Sequence, residues 1–281
     1  MPAIQLATRP DSIAVLTFDQ PGSKANVLTA ELWTELEAVL DSLASRTELR
    51  GLVLASAKPG IFIAGADLNL LANAPGPNDP AVRGFIEQGL RVLEKLESLP
   101  FPTCVAIDGA TLGGGLEVAL ACDYRICGSN PKVRLGLPEV TLGLIPGWGG
   151  TQRLPRIVGL EAAAKMLTNG QSIDANEAEK CRLAAEVIDS ALLLEAASKC
   201  CETTQPVNGV REAKLGALAC DLQQDASNLT GAAAEAVRVM VAGAALPLEE
   251  AIAVETEAFM RLAGSDESKR LIAAFFASRK K

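Results

Sequence analysis

The stretch TLGGGLEVAL at residues 111–120 decides how this chain folds. It follows an apolar run at 103–107 that is typical of a buried strand, and its three glycines lead into a helical pattern. Glycines at such a strand-to-helix turn leave backbone N–H groups bare, so that a ligand can approach them closely. Glu117 places a carboxylate among apolar neighbours, where it must be paired, hydrogen-bonded or neutralised. Together these features predict a binding turn with an acid/base group beside it.

Strand and helix patterns alternate on both sides of this stretch. Helical patterns over 31–43 and 80–99 separate apolar runs that are typical of strands, and 73–80 is rich in proline and glycine and predicts a loop. The alternation predicts an α/β fold of βαβ units with right-handed crossovers. The predicted strands cover 13–18, 51–56, 103–107, 124–127 and 133–137.

Beyond about residue 150 the strand patterns nearly disappear and helical patterns dominate. We therefore expect an Ala-rich helical region that packs on the α/β core, on another subunit or on both. The predicted helices in this region cover 161–167, 175–183, 191–200, 231–241, 248–263 and 268–281.

The composition limits the classes of function. The 281 residues are 49% hydrophobic but only 4% aromatic, which predicts an aliphatic core. A formal net charge of −8 disfavours nucleic acid as a partner, because phosphate contacts need clustered lysine and arginine. We expect no membrane association, since there is no run of about 18 uncharged apolar residues. Seven cysteines without a C-x-x-C motif favour buried, reduced thiols and a cytoplasmic location.

The absence of histidine from the sequence narrows the chemistry further. It excludes Ser-His-Asp and Cys-His mechanisms, and it removes the commonest ligand of catalytic zinc. Acid/base chemistry near neutral pH is therefore left to the Glu, Asp, Lys, Tyr and Cys side chains.

Three segments of small residues share the character of a binding site: AGAD at 64–67, the glycine turn, and LPEVTLGLIPGWGG at 137–150. Bare N–H groups from two separate turns could hold one carbonyl oxygen as it becomes negative, which is an oxyanion hole. Glu117 and a second carboxylate, Glu139, could handle both protons of an addition or elimination. Burial and like-charge proximity would raise the pKa of at least one of these carboxyls.

With these motifs in place, the sequence resembles the enoyl-CoA hydratase/isomerase, or crotonase, family, over nearly its whole length and in the family's order. The resemblance implies an α/β crotonase (ClpP-like) fold of repeated ββα turns with a C-terminal helical region. It also implies a core domain over 1–200 and a helical trimerisation region over 201–281. The matching segments are IFIAGADL at 61–68, IDGATLGGGLEVALACDYRI at 107–126 and LGLPEVTLGLIPGWGGTQRLPRIVG at 135–159, with weaker matches at 26–40 and 273–281.

The resemblance assigns roles to individual residues. Ala66 and Gly114 would supply the two N–H groups of the oxyanion hole. Glu117 and Glu139 would hold the water that adds to C3 of a trans-2-enoyl thioester. Family members that keep only the second glutamate tend to move double bonds instead, so the presence of both favours hydration.

The resemblance also implies residues that bind the CoA substrate, and it implies no metal and no redox cofactor. Two of these residues have simpler alternatives, since Asp67 could cap a helix and Trp148 could belong to the core. Asn69 stands where many hydratases have a lysine, which puts one phosphate contact in doubt, and the role of 206–225 stays open. The implied binding residues are Lys24, Ala25, Ala64, Gly65, Asp67, Leu68 and Trp148.

The resemblance therefore implies an enoyl-CoA hydratase of fatty acid β-oxidation, assembled as a homotrimer or hexamer. One alternative is an enoyl-CoA isomerase or another acyl-CoA reaction on the same fold. A different class is a non-catalytic acyl-CoA-binding or scaffold protein, although the retention of both glutamates and all three glycines disfavours it. The sequence does not indicate the length of the acyl chain.

Overall fold

The structure, a computed structural model, describes residues 2–207 and 228–279, so Cys220 and most of 206–225 lie outside the described residues. The chain divides into two compact units, each built from three separated segments. The division into a core and a trimerisation region stays a prediction. The first unit comprises Met1–Ala66, Gly89–Leu135 and Ile173–Asn208, and the second comprises Asp67–Gln88, Gly136–Ser172 and Gly209–Lys281.

The strands are short and belong to two sheets. The larger sheet has the order β1-β2-β3-β5-β7-β9, and the smaller has the order β4-β6-β8. In the larger sheet β1 is antiparallel to β2, and the remaining pairs are parallel. The strands are β1 (Ile4–Thr8), β2 (Ile13–Phe18), β3 (Gly51–Ser56), β4 (Ile61–Ile63), β5 (Thr103–Ile107), β6 (Ala110–Leu112), β7 (Tyr124–Gly128), β8 (Arg134–Gly136) and β9 (Glu186–Ile188).

The helices alternate with the strands at first and then follow one another. Among those in the described residues, none combines the length and the apolar character needed to cross a membrane. The helices are α1 (Ala30–Ala44), α2 (Leu68–Ala72), α3 (Pro80–Glu97), α4 (Gly114–Ala121), α5 (Gly150–Val158), α6 (Leu160–Asn169), α7 (Ala175–Lys180), α8 (Leu193–Thr203), α9 (Gly231–Gly243), α10 (Leu248–Leu262) and α11 (Asp266–Ser278).

The order of the elements repeats a ββα pattern, which confirms the predicted α/β class. Two strands precede α1, two precede α2 and α3, and two precede α4. From β3 onward, the first strand of each pair joins the larger sheet and the second joins the smaller sheet. From β3 onward, each pair of strands therefore adds one strand to the larger sheet and one to the smaller.

Helix α8 covers one face of the larger sheet in the first unit. The contact is close, since a Cβ on Gly51 of β3 would lie 2.4 Å from the Cβ of Cys201. Burial of apolar side chains between α8 and the sheet is the main stabilising contribution to this core. The buried cluster contains Ile13, Val15, Val53, Cys104, Ala106 and Ile126 from the sheet and Leu193, Ala197 and Cys201 from α8.

Helix α1 follows the predicted amphipathic pattern. The Thr29 hydroxyl accepts a hydrogen bond from the Leu32 N–H and caps the helix, and threonine is a residue type favoured at this position. Residues at helical spacing, including Leu36 and Leu40, are buried, and Trp33 joins them. The cap and the apolar stripe together explain where this helix begins and which side faces the core.

In the second unit, buried polar side chains join the helices α5, α9 and α10. Gln152 donates to Val239 O at 3.1 Å, so α5 is tied to α9. The Arg156 guanidinium donates to Gly243 O and Leu246 O, at the end of α9 and beyond it. These bonds link α5 to α9 and to the segment that follows α9.

The structure corrects two expectations for the region after residue 150. Helix α7 ends at Lys180 instead of continuing to 183, because Arg182 takes a positive φ of 64°. The chain then forms a further strand, β9, which pairs in parallel with β7 and extends the larger sheet. Strand structure therefore does not end near residue 150. Strands β1 and β6 were also not predicted.

We predict that Gly115→Ala destabilises the protein, because its Cβ would lie 2.4 Å from Ile63 O where α4 crosses β4. The expected loss is about 1–3 kcal/mol of unfolding free energy, as is typical of overpacking. The matched control is Gly84→Ala in α3, where nothing lies within 4 Å of the new Cβ. That change should be neutral or stabilise by up to about 1 kcal/mol. Urea unfolding measures both, and equal effects would contradict the close crossing.

Candidate functional site

The chain leaves β4 through a turn that exposes a backbone N–H group. The Ala64 N–H donates to Asn26 O at 2.9 Å, and Gly65 O accepts from the Leu28 N–H at 2.9 Å. Gly65 has a positive φ of 121°, a conformation that favours glycine. Among the residues that the structure describes, none accepts a hydrogen bond from the Ala66 N–H. This group is therefore free to donate to a ligand.

The glycine turn leaves a second N–H group bare. Gly113 has φ 55° and ψ −127°, a conformation that strongly favours glycine. Helix α4 begins at Gly114, and the first N–H groups of a helix have no acceptor within it. The Leu116 and Glu117 N–H groups donate to Gly113 O, whereas the Gly114 N–H has no partner in the described part of the chain.

Parallel pairing of β4 and β6 makes these two turns neighbours. Ile63 of β4 is the partner of Thr111 in β6, so both strands end at the same edge of the smaller sheet. A Cβ on Gly65 would lie 3.5 Å from Leu112 O, which shows how closely the two chain segments approach. The two bare N–H groups thus lie on neighbouring turns of the first unit.

Glu117 lies in the first turn of α4 and is 1% exposed. All the residues of this helix are buried, so the carboxyl belongs to the interior of the unit, as the apolar pattern around it predicted. The partial positive charge at a helix N-terminus favours the ionised form of a carboxylate in the first turn. This position offsets part of the cost that burial imposes on the charge of Glu117.

Asn26 holds the turn after β4 in place. Its Nδ2 donates to Phe62 O at 2.8 Å, to Ser56 Oγ at 3.0 Å and to Phe18 O at 3.3 Å. Its Oδ1 accepts from the Gln20 N–H at 3.0 Å. One buried amide thus joins the ends of β2, β3 and β4, and a buried carbonyl left without its donor would be costly.

The residues expected to bind CoA lie at turns and helix starts. Lys24 is exposed, Ala25 is partly buried, and Leu68 is the first residue of α2. Asp67 caps α2, since its carboxylate accepts from the Asn69 N–H at 2.9 Å and from Asn69 Nδ2 at 2.7 Å. The capping alternative for Asp67 is therefore confirmed, and contacts of these residues with CoA stay predictions.

Glu139 opens a 3₁₀ turn, Glu139–Leu142, in the second unit. The residue as a whole is partly buried, but its Oε2 is enclosed and receives no hydrogen bond from any described residue. Burial raises the pKa of Glu139 to about 8, and the negative charge of Glu255 adds to the rise. A carboxyl with this pKa is protonated at neutral pH and can donate a proton.

Glu255, a fully buried carboxyl on α10, was not among the predicted site residues. Its Oε1 accepts from the Gly149 N–H, and its Oε2 accepts from the Thr151 hydroxyl and, at 2.7 Å, from the Thr151 N–H. Burial raises the pKa of Glu255 to about 7, although these hydrogen bonds act in the opposite direction. The signal that singled out Glu117 was also present here, because Glu255 lies one helical turn after Ala251 on the buried face of α10.

Trp148 lies in the interior of the second unit. It is 2% exposed, its ring packs edge-to-face on Phe85 with 5.2 Å between centroids, and its Nε1 donates to Ile86 O at 3.1 Å. These contacts favour the core alternative for this residue. A contact with substrate stays a prediction.

Most of the described cysteines are buried, as the sequence predicted. Burial raises the pKa of Cys127 and of Cys201 to about 12, which disfavours a nucleophilic role. A hydrogen bond with Cys104 lowers the pKa of Cys200, which is partly buried. The buried thiols are Cys104, Cys122, Cys127 and Cys201.

Comparison with known proteins confirms the family resemblance. Residues 8–214 match the sequence profile of the family described as enoyl-CoA hydratase/isomerase. The structure of Pseudomonas aeruginosa DspI is 31% identical, with a TM-score of 0.66, over 74% of this chain and 83% of that one. An enoyl-CoA hydratase from Bacillus anthracis is 28% identical, with a TM-score of 0.67, over 99% and 97% of the two chains. One from Geobacillus kaustophilus is 29% identical, with a TM-score of 0.66, over 99% and 95%.

We predict that Asn26→Ala destabilises the protein by about 2–4 kcal/mol, because Phe62 O and Phe18 O each lose a buried donor and the amide that joins β2, β3 and β4 is removed. Denaturant unfolding measures the change. Asn69→Ala is the matched control, since the hydrogen bond of its side chain to Asp67 is exposed, and it should change stability by less than about 0.5 kcal/mol. A loss no larger than that of the control would show that Asn26 does not hold the turn.

Proposed function

Since this chain belongs to the enoyl-CoA hydratase/isomerase family and shares its crotonase fold, we propose that it catalyses the reversible addition of water to a trans-2-enoyl-CoA, giving a 3-hydroxyacyl-CoA. The observation that carries the proposal is the pair of bare N–H groups, from Ala66 and Gly114, on neighbouring turns. The second of these turns opens the helix that bears the buried carboxyl of Glu117.

The two N–H groups would donate to the thioester oxygen of the substrate. As water adds at C3, negative charge moves through C2 onto this oxygen and gives an enolate. Fixed donors stabilise such charge without reorganisation, and the loss of one donor typically costs about 10²–10³-fold in rate. Ala66 and Gly114 therefore lower the barrier for the addition.

The addition forms a C–O bond at C3 and a C–H bond at C2. One proton leaves the attacking water and one proton reaches C2, so two acid/base groups complete the balance. We assign Glu117 as the base, because the N-terminus of α4 favours its ionised form. We assign Glu139 as the acid, because burial keeps it protonated at neutral pH. Proton exchange with solvent then restores both groups.

Substrate binding and assembly belong to the same proposal. CoA enters as part of the substrate, and no metal or redox cofactor takes part. The protein acts as a homotrimer or hexamer, formed through its C-terminal region, in cytoplasmic fatty acid β-oxidation. The residues proposed to bind the acyl-CoA are Lys24, Ala25, Ala64, Gly65, Asp67, Leu68 and Trp148.

We predict that Glu117→Gln and Glu139→Gln each lower kcat for hydration by about 10²–10⁴-fold, because each removes one proton-transfer group. Binding of a saturated acyl-CoA, measured by isothermal titration, should stay within a few-fold of the unchanged protein, since neither change removes a bare N–H group. Full hydratase activity in either variant would refute the assignment. Double-bond migration that survives Glu117→Gln would indicate an isomerase, and binding without turnover of any enoyl-CoA would indicate a binding protein.

We predict that kcat/KM falls as the pH rises through about 8, because Glu139 loses the proton that it donates. Its pKa is raised in the folded protein, so the active form is complete below this value and decreases above it by about tenfold per pH unit. Initial rates over this range measure the profile, and circular dichroism confirms that the protein stays folded. A rate that is constant or rises through the same range would contradict the role of Glu139 as the acid.

A further inference from the structure

Glu255 is a buried carboxyl that the proposed reaction does not use. It projects from α10, where residues at helical spacing around it, including Ala251 and Phe259, are also buried. Both of its oxygens accept hydrogen bonds from the turn that opens α5, at Gly149 and Thr151. The carboxyl thereby caps α5 from a distant part of the chain, and a negative charge is favourable at this end of a helix.

The hydrogen-bond donors are distributed unequally between Glu255 and Glu139. Glu255 accepts from two backbone N–H groups and the Thr151 hydroxyl. The enclosed Oε2 of Glu139 has no donor among the described residues, and the hydrogen bond from its own backbone has a smaller effect on the pKa of Glu139 than burial has. Donors stabilise the ionised form of a carboxyl, and burial without donors disfavours that form. The geometry therefore gives a negative charge to Glu255 and a proton to Glu139.

Among the residues that the structure describes, few other charges act on this pair. Arg153 is buried, donates to Trp148 O and favours the ionised form of Glu255. Arg156 is also buried, and its guanidinium bonds to carbonyl groups. The charged side chains on the helices that pack against the Glu139 turn include Glu161 and Lys165 of α6, Glu235 and Arg238 of α9, and Glu267 and Lys269 of α11. These six are exposed or partly exposed, so solvent screens their effect.

We propose that Glu255 is a positioning residue that carries the negative charge of this buried pair, so that Glu139 carries the proton. Its charge disfavours a second charge on Glu139, as expected for two carboxyls in a low-dielectric interior. The same carboxylate fixes the turn that includes Gly149 and Thr151. The role of this proton in catalysis rests on the proposed hydration. The protonation state of Glu139 does not depend on it.

The proposal is tested by an infrared pH titration of the full chain, which detects the carbonyl stretch of a protonated carboxyl. The band assigned to Glu139 is the one that Glu139→Gln removes. In the unchanged protein this band should persist at neutral pH and disappear as the pH rises through about 8. In Glu255→Gln it should disappear at a pH lower by about one unit or more, because the neighbouring negative charge is gone.

The matched control is Glu257→Gln, which removes an exposed carboxylate from the same helix, where it pairs with Arg83. Its midpoint should equal that of the unchanged protein. If Glu255→Gln does not fold, Thr151→Val replaces it. This change removes one hydrogen-bond donor to Glu255, so that Glu255 holds a proton more readily and Glu139 loses its own proton at a lower pH. That change should also lower the midpoint, and Thr151→Ser, which keeps the hydroxyl, should not.

Two results would overturn the proposal. One is an unchanged midpoint in folded Glu255→Gln or, where that variant does not fold, in Thr151→Val. The other is a neutral-pH band that disappears in Glu255→Gln and survives in Glu139→Gln, which would place the proton on Glu255. The titration needs no turnover, so a protein that hydrates no enoyl-CoA would refute the proposed function and leave this result standing.

Discussion

The close crossing of α4 over β4 is the contact on which the candidate site of the first unit depends. At Gly115 a side chain would meet Ile63 O, so the helix can approach the strand this closely only without one. The approach sets the glycine turn, which follows β6, beside the turn at Gly65, which follows β4. It also carries Glu117 into the interior. Two bare N–H groups and a buried carboxyl thus follow from one backbone constraint.

The proposed roles of the carboxyl groups follow from their surroundings and not from residue type. Glu117 lies at a helix N-terminus, which favours the ionised form. Glu255 receives hydrogen bonds on both oxygens, whereas Oε2 of Glu139 is enclosed without a donor. Differences of this kind separate an acid from a base among chemically identical side chains at one pH. The low-dielectric interior makes each difference larger than it would be in water.

The sequence predicted those parts of the fold and site that local pattern determines. The buried parallel strands, the cap at Thr29 and the inward carboxyl at Glu117 all have local signals. Strand β9 was missed because three residues are too short to show a period, and its pairing with β7 is distant along the chain. The cross-links made by Asn26 are likewise invisible in sequence, since its partners lie in other segments. Glu255 did have a local signal, a carboxylate on an apolar helix stripe, but its partners did not.

The central claim is that this protein adds water to an enoyl thioester. It is tested most directly by incubating the purified protein with trans-2-enoyl-CoA substrates of graded chain length in ¹⁸O-labelled water. The account predicts that the absorbance of the conjugated thioester falls for at least one chain length. Mass spectrometry should then find a 3-hydroxyacyl-CoA that carries one labelled oxygen at C3. Binding of these substrates with no loss of conjugation at any chain length would contradict the account.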